Sequence, residues 1–410
     1  MSSSVAAFRP SHGVGLPAPA EVRERRVRRR VGIAWGLLVL NVLTFTPGQA
    51  LVPIPSLVGK AITQGALPVA LVVVLTVNRR VIVRPNVFLC LVSLLVIEAL
   101  VTIMHAQFLR STGYRTFRLA EFVAALWMLS PWWGRRDLLL VRCHLAAMSV
   151  VLSSVLLGLL VAPGHALQGG RLGGVVWPIP PTQVAHYAAV TLGLVVVLWL
   201  CGRRRGRATV LVVVVAGSIL ILTHTRTALV GEIAGILIAG LSLIVAKARV
   251  RKLFATVGAV AAIAIITMSG FITTWLARGQ GTQQLTGLTG RTSFWGPLLA
   301  FPRDKFQEYF GFGLSNASFN GLPIDSNWLA SYQQQGLFGV AVCATILLFL
   351  LVTAYFQPSG VQRALALFLV AYCLVASFTE VGFTDASTYL LDLTLAASLL
   401  VPSVVDRRPT

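Results

Sequence analysis

Charge is what this sequence has least of. Only 11% of its 410 residues are Asp, Glu, Lys or Arg, less than half of the roughly 25% usual in soluble domains. Acids are the scarcer sign, 13 against 34 basic residues, for a net charge of +21. Motifs of several reaction classes are missing too. Without a G-x-x-x-x-G-K-[ST] loop, nucleotide hydrolysis is not indicated. There is no H-E-x-x-H, and the six histidines are scattered, so no metal-ligand set can be named. The five cysteines, Cys90, Cys143, Cys201, Cys343 and Cys373, are odd in number and lack a C-x-x-C spacing. They point to neither a disulfide framework nor a zinc site and read as small buried hydrophobes. No secretory leader is apparent, because about thirty residues precede the first apolar run and no small-residue cleavage site follows it. RERRVRRR (23–30) reads as a basic cytoplasmic tail rather than a nucleic-acid-binding arm.

Apolar runs fill the chain instead. Hydrophobic residues make up 56% of it and the mean hydropathy is +0.81, which predicts an all-α polytopic membrane protein. A helix needs about 20 apolar residues to cross the hydrocarbon core, and that ruler gives about twelve candidate spans. They lie near 31–50, 61–77, 86–105, 117–132, 137–162, 182–201, 208–224, 227–246, 253–275, 336–356, 362–381 and 386–404. The predicted division is a basic tail over 1–30, helices one to nine over 31–275, and a long extracytoplasmic loop with short interfacial helices over 276–335. Helices ten to twelve follow over 336–405, with a short tail over 406–410. Trp275–Gly339 is the one long stretch too polar for a bilayer.

Charge sets the orientation. With the N-terminus inside, most of the 34 basic residues fall in the cytoplasmic segments, which is the positive-inside pattern. Both termini are then cytoplasmic. Ten cations remain outside: Lys60, Arg110, Arg115, Arg118, Arg171, Arg226, Arg278, Arg291, Arg303 and Lys305. Topology does not require these, so something else must.

Four stretches carry candidate chemistry. In THTRTALVG (223–231), Arg226 lies beside the start of the eighth predicted helix, with Thr225 as its candidate cap. A helix start and a guanidinium suit a diphosphate, and a snorkelling interfacial arginine is the plain alternative. TGRTSFW (289–295) offers Arg291, and SFWGPLLAF (293–301) should lie in the interface as a short helix. In IDSNWLASYQQQGLFG (324–339), Asp325 is either a helix N-cap or a base for a sugar hydroxyl. Trp328 and Tyr332 share a helix face there and suit sugar stacking or core packing, while Gly336 marks a break. HAQFLRSTGYRTFRLAE (105–121) offers Arg110 and Arg115 to an anionic headgroup, with Arg118 able to pair with Glu121 at i, i+3. Glu98, Glu121, Glu232, Glu380, Asp385 and Asp392 fall in or near apolar segments, where carboxylates are costly. Glu98 and Glu232 read as polar links between helices. A proton-coupled transporter would also use such groups.

The order of THTRTA, TGRTSFW, GFGLSNASF (311–319) and DSNWLASYQQQGLFG (325–339) resembles the O-antigen ligase and polymerase superfamily of bacterial cell-surface glycan assembly. The likeness carries motifs over residues 180–345 and only hydropathy elsewhere. It implies a GT-C-like helical glycosyltransferase that moves a glycan from an undecaprenyl-diphosphate-linked donor to an acceptor hydroxyl, without metal, nucleotide or other cofactor. Arg226 and Arg291 would hold the donor diphosphate, helped by Arg110, Arg115 and Thr225, and the loop of Asp325 would activate the acceptor. Asn327, Trp328 and Tyr332 would line the acceptor side. Ligases carry a His-Asn pair where this chain has Asp325-Ser326-Asn327, so ligase and polymerase both stay open. Implied partners are the lipid-linked oligosaccharide, a glycan or lipid acceptor, membrane lipids and other glycan-assembly proteins, with no nucleic acid.

Overall fold

The computed structural model describes residues 19–105, 109–204, 206–244, 250–252, 256, 267, 295–314 and 318–402. Nearly everything in it is helix: α1 (Pro19–Val42), α2 (Ser56–Val77), α3 (Val87–Ile103), α4 (Leu109–Leu129), α5 (Leu139–Val161), the single turn α6 (Pro163–Ala166), α7 (Pro181–Leu200), α8 (Gly206–Leu222) and α9 (Arg226–Ile244). After the undescribed stretch come α10 (Trp295–Ala300), α11 (Lys305–Phe310), α12 (Asn327–Phe356), α13 (Val361–Ala376) and α14 (Thr388–Leu400). One two-residue hairpin, β1 (Ser318–Phe319) against β2 (Leu322–Pro323), is the only strand pair among the described residues. This is an all-α protein with the apolar helices of a membrane-embedded chain. Five of them (α2, α5, α7, α9 and α12) are long and apolar enough to cross a membrane, and α3, α8, α13 and α14 are apolar but shorter.

Helix boundaries follow local chemistry. Helix α1 begins well before residue 31, so the basic run 23–30 is not a separate tail but the first turns of a continuous helix. Arginine is a good helix former, and Glu24 steadies the turn by accepting from Arg28 at 2.8 Å, an i, i+4 pair. Asn86 caps α3 by accepting from the Phe88 N–H at 2.8 Å. Asp304 caps α11 in a reciprocal capping box with Gln307. The predicted ninth span, 253–275, lies almost entirely outside the described residues. The cysteines divide by position: Cys343 and Cys373 are buried, Cys143 and Cys201 half-buried, and Cys90 exposed on α3.

Small residues let the bundle close. Gly231 and Gly235 put one glycine per turn on the face of α9 that meets Tyr372 and Phe368 of α13. A Cβ at Gly235 would come within 2.7 Å of the Phe368 ring, and one at Gly193 of α7 within 2.0 Å of the same ring. Without a hydrophobic drive between helices in lipid, such close backbone approach is what holds them.

The core is mostly apolar, with buried Glu98, Glu232 and Gln335 among its polar members, and one chain of polar groups crosses it. His144 Nε2 lies 3.1 Å from Asp392 Oδ1, and His186 Nε2 lies 2.9 Å from Asp392 Oδ2, all three side chains being buried. Both contacts are close in distance but bent away from the ideal hydrogen-bond line. Trp35 Nε1 donates to His144 Nδ1 at 3.2 Å, and the Tyr372 hydroxyl lies 3.2 Å from His186 Nδ1. An indole N–H can only donate, so His144 Nδ1 accepts and its proton sits on Nε2, toward Asp392. The chain runs through α1, α5, α14, α7 and α13, tying five helices together where each would otherwise bury an unpaired polar group.

The two ends of the bundle differ. At one end lie the C-terminus of α1, the N-termini of α7, α9, α12 and α14, and the segments 295–314 and 318–326; it is termed the loop end. The opposite, basic end holds the arginines of α1 with the α2–α3, α4–α5 and α7–α8 turns.

Candidate functional site

A cavity of about 380 Å³ opens at the loop end. Asn41 (α1) and Thr44 (just after it), Lys60 and Gln64 (α2), Arg118 (α4), Gln183 and His186 (α7), and Glu380, Ser387 and Tyr389 (around α14) contribute to its wall. Two proline-rich segments, 46–55 and 177–181, form its shoulder. The Thr46 N–H donates to the Pro178 carbonyl at 2.9 Å, the Leu51 N–H to the Val175 carbonyl at 2.8 Å, and Phe45 meets the Trp177 ring edge-on. Gln183 locks them to the end of α1, accepting from the Thr44 N–H and donating to the Val42 carbonyl, both at 2.8 Å. His186 of the buried polar chain reaches the cavity from below, edge-on to Tyr389.

The α13–α14 connection, residues 377–387, is where the predicted motifs meet. From THTRTA, the Thr227 hydroxyl lies 2.6 Å from that of Thr379. From DSNWLASY, Asn327 Oδ1 accepts from the Gly382 and Phe383 N–H groups at 3.2 and 2.9 Å, and Trp328 Nε1 donates to Ser377 Oγ at 3.0 Å. From the fourth stretch, Arg118 donates to the carbonyls of Asn41 and Ala386 at 3.1 and 3.0 Å, and Arg115 lies 3.7 Å from Asp385. Ser387 caps α14 by accepting from the Leu390 N–H, and its hydroxyl donates to the Gly382 carbonyl.

Individual site predictions sort as follows. Arg226 opens α9 and is half-buried, with interactions of its own. The Thr225 hydroxyl is buried, donating to the Thr223 carbonyl at 3.3 Å and accepting from Arg171 at 3.1 Å, so it belongs to the turn. Arg110 stands exposed at the start of α4, away from the cavity wall. Arg115 faces Asp385. Arg118 pairs with Asn41, Ala386 and, at 4.0 Å, Asp385, in place of the Glu121 partner expected at i, i+3. Asp325 is half-buried one residue before Ser326, which precedes α12 without a side-chain cap bond, and Asp325 has interactions of its own. Asn327 is fully buried and serves as a clamp on the α13–α14 connection. Trp328 packs on Phe378, and the Tyr332 ring lies under the Arg303 guanidinium, 4.2 Å from it. These two aromatics therefore have protein partners. Arg291 lies outside the described residues.

The break expected at Gly336 is present and has a partner. Gly336 sits at φ +62°, ψ −159° inside α12, a conformation that glycine adopts readily. The break frees the carbonyls of Gln333 and Gln334, which accept from the Phe312 and Gly313 N–H groups at 3.0 and 2.9 Å. GFG (311–313) is thus inserted into the helix break. Arg303 braces the same junction, donating to the carbonyls of Leu298 and Tyr332 and to Gln333 Oε1. Burial pulls the Arg303 guanidinium below its usual pKa, with Tyr332 working the other way; its ordinary value is high enough that it remains a cation.

Sequence reasoning missed two functional-looking features, the α13–α14 connection and the pairing of His144 and His186 with Asp392, and it gave Arg171 as an outer cation without its Thr223 and Thr225 partners. Asp392 was legible as a costly carboxylate, but its partners lie on helices far away in sequence.

Fold and cavity together define a class: a helical membrane-embedded protein with a polar, cation-bearing cavity at one end of its bundle. No protein-family model matches the chain, and no curated protein is significantly similar to it.

Proposed function

We propose that this protein is a membrane glycosyltransferase of the O-antigen ligase or polymerase type. In this reading it is a GT-C-like chain of about twelve spans in a bacterial inner membrane, with both termini cytoplasmic and the loop end outside. The observation that carries the reading is the loop-end cavity, where cations Lys60 and Arg118 face carboxylate Glu380 beside the motif-bearing starts of α9 and α12. A lipid-linked diphosphate needs cations at a bundle end, where the lipid can enter from the side and the glycan can face water. Preorganised cations stabilise the charge that grows on the leaving diphosphate as the glycosidic C–O bond breaks. The acceptor hydroxyl forms the new C–O bond and gives its proton to a carboxylate. Glu380 has the cavity position for that role, with Asp325 as the alternative from the loop. Arg226 and Arg291 complete the donor side.

The test is transfer from undecaprenyl-diphosphate-linked oligosaccharide in proteoliposomes. Arg118→Gln and Arg226→Ala should each lower the rate by about a hundredfold, and Glu380→Gln should do the same while Asp325→Asn retains activity. Full transfer in both arginine variants would sink the proposal.

One observation favours a second reading, a proton-coupled transporter: the His144–Asp392–His186 chain is a titratable path inside the helix core with His186 at the cavity floor. That reading requires substrate flux that collapses with the proton gradient and with Asp392→Asn. Gradient-independent glycan transfer excludes it.

A further inference from the structure

The basic end contains a second concave site, unrelated to the loop-end cavity. A cleft of about 570 Å³ opens between α1 and the α2–α3 turn, lined by Arg23, Arg26 and Arg30 on one side and Arg79 and Arg80 on the other. Positions 23, 26 and 30 fall on one face of a helix by their i, i+3, i+7 spacing. The neighbouring face of α1 is engaged elsewhere. Glu24 and Asp137 close a ring of ion pairs with Arg28 and Arg135, with all four contacts between 2.8 and 3.2 Å. Glu24 and Asp137 are therefore taken. Among the described residues, the five cleft arginines have no ion pair.

The opposite wall is rigid. Asn78, itself buried, donates to the Ile82 carbonyl at 2.7 Å and to the Met128 carbonyl at 3.1 Å, and accepts from the Ile82 N–H at 2.9 Å. Val81 is held at φ +50°, a conformation that a β-branched residue avoids, so the turn is fixed rather than sampled. Apolar side chains accompany the cations: Val27, Val77 and Ile82 line the cleft, Val81 and Val83 stand exposed on either side of Ile82, and Ile33 is exposed one turn beyond Arg30 on α1. Positive-inside topology accounts for basic residues at this end. It does not account for five of them around one concavity with a greasy rim.

We infer that this cleft binds an anionic glycerophospholipid whose headgroup carries two phosphates. A phosphodiester has only two unesterified oxygens, so one phosphate cannot occupy five guanidinium forks. Two phosphates can, with the acyl chains running along Ile33 and Val81–Val83. A free polyphosphate would leave that apolar rim in water. The other basic cleft, around Arg136, Arg142, Arg203 and Arg204, includes Asp137 in its wall, which makes it the poorer anion site.

Native mass spectrometry of the full-length protein in detergent tests this, using diphosphatidylglycerol, phosphatidylglycerol, phosphatidylcholine and inorganic phosphate as probes. One diphosphatidylglycerol should be retained in preference to the other three. Arg79→Gln with Arg80→Gln, and separately Arg26→Gln with Arg30→Gln, should each weaken retention about tenfold or more. Arg25→Gln with Arg29→Gln removes equal charge from the same helix outside the cleft and should change retention less than twofold. These side chains are solvent-exposed, so the thermal midpoint without lipid should be the same in all variants. Equal loss in the Arg25/Arg29 pair, or equal retention of phosphatidylcholine, would overturn the site. Retention of phosphatidylglycerol as strong as that of diphosphatidylglycerol would overturn the two-phosphate assignment, and equal competition by inorganic phosphate would overturn the lipid.

Discussion

The two ends of the bundle use the same residue for different work. At the loop end, arginine is mostly a clamp on backbone: Arg118 holds the carbonyls of Asn41 and Ala386, Arg171 that of Thr223, and Arg303 those of Leu298 and Tyr332. At the basic end, Arg28 and Arg135 meet carboxylates, while the cleft arginines meet none. A guanidinium directed at carbonyls fixes geometry with five donors in a rigid fork. Exposed pairs with carboxylates fix little and are screened by salt. The loop end should therefore be intolerant of substitution and indifferent to ionic strength, and the basic end the reverse.

That contrast can be broken or sharpened at several points. The largest effect should come from between the ends. Asp392→Ala leaves two buried histidines facing a void and should cost about 4 kcal/mol, with hydrogen exchange rising at both ends alike. A rise confined to one end would mean that the polar chain does not tie the halves together. Next comes Gly336→Ala at the loop end. It forces a side chain onto φ +62° and a Cβ to within 2.4 Å of the Tyr309 carbonyl carbon, for an expected loss of about 3 kcal/mol. A neutral thermal melt would show that the break is not a fixed feature. Asn327→Ala strips the acceptor from two buried N–H groups and should cost about 2 kcal/mol, read as faster proteolysis in the 377–387 connection.

The smallest effect belongs to the basic end. Hydrogen bonds from Arg28 and then Arg135 hold the Glu24 carboxyl below its usual pKa. Burial pushes the Asp137 carboxyl up, but bonds and charge from Arg135 and Arg28 outweigh it and the net direction is down. Groups with depressed folded values contribute stability above their unfolded pKa of about 4 and lose it as pH falls through the folded value. Melts of the parent chain and of Glu24→Gln with Asp137→Asn should differ slightly at neutral pH and low salt. They should converge below about pH 4 or in high salt. A difference that persists in acid would remove the ion-pair ring as its source.

Helix positions were largely legible in the sequence, because each apolar run is its own signal: α5, α7, α8 and α9 begin and end within a few residues of expectation. Helix α1 was misjudged at its start because hydropathy registers arginine as an interruption, whereas the helix accepts it. Charge counting set the loop-end cations apart from the basic residues of the other turns. What it could not supply was their partners, since a carbonyl oxygen has no residue signature. The α13–α14 connection was hidden for a related reason. SFTEVGFTDAS reads as an ordinary turn, and its importance comes from Arg118, Thr227 and Asn327, which reach it across up to 268 positions of sequence.

The insertion of GFG into the break of α12 has a consequence for anyone shortening this chain. The two carbonyls at Gln333 and Gln334 are covered by Phe312 and Gly313, so this short segment is grafted into the helix rather than draped over it. Excising residues 276–326 would uncover both carbonyls and leave Gly336 with no reason to be unwound. A viable truncation must heal the helix in the same step, by replacing Gly336 with a helix former.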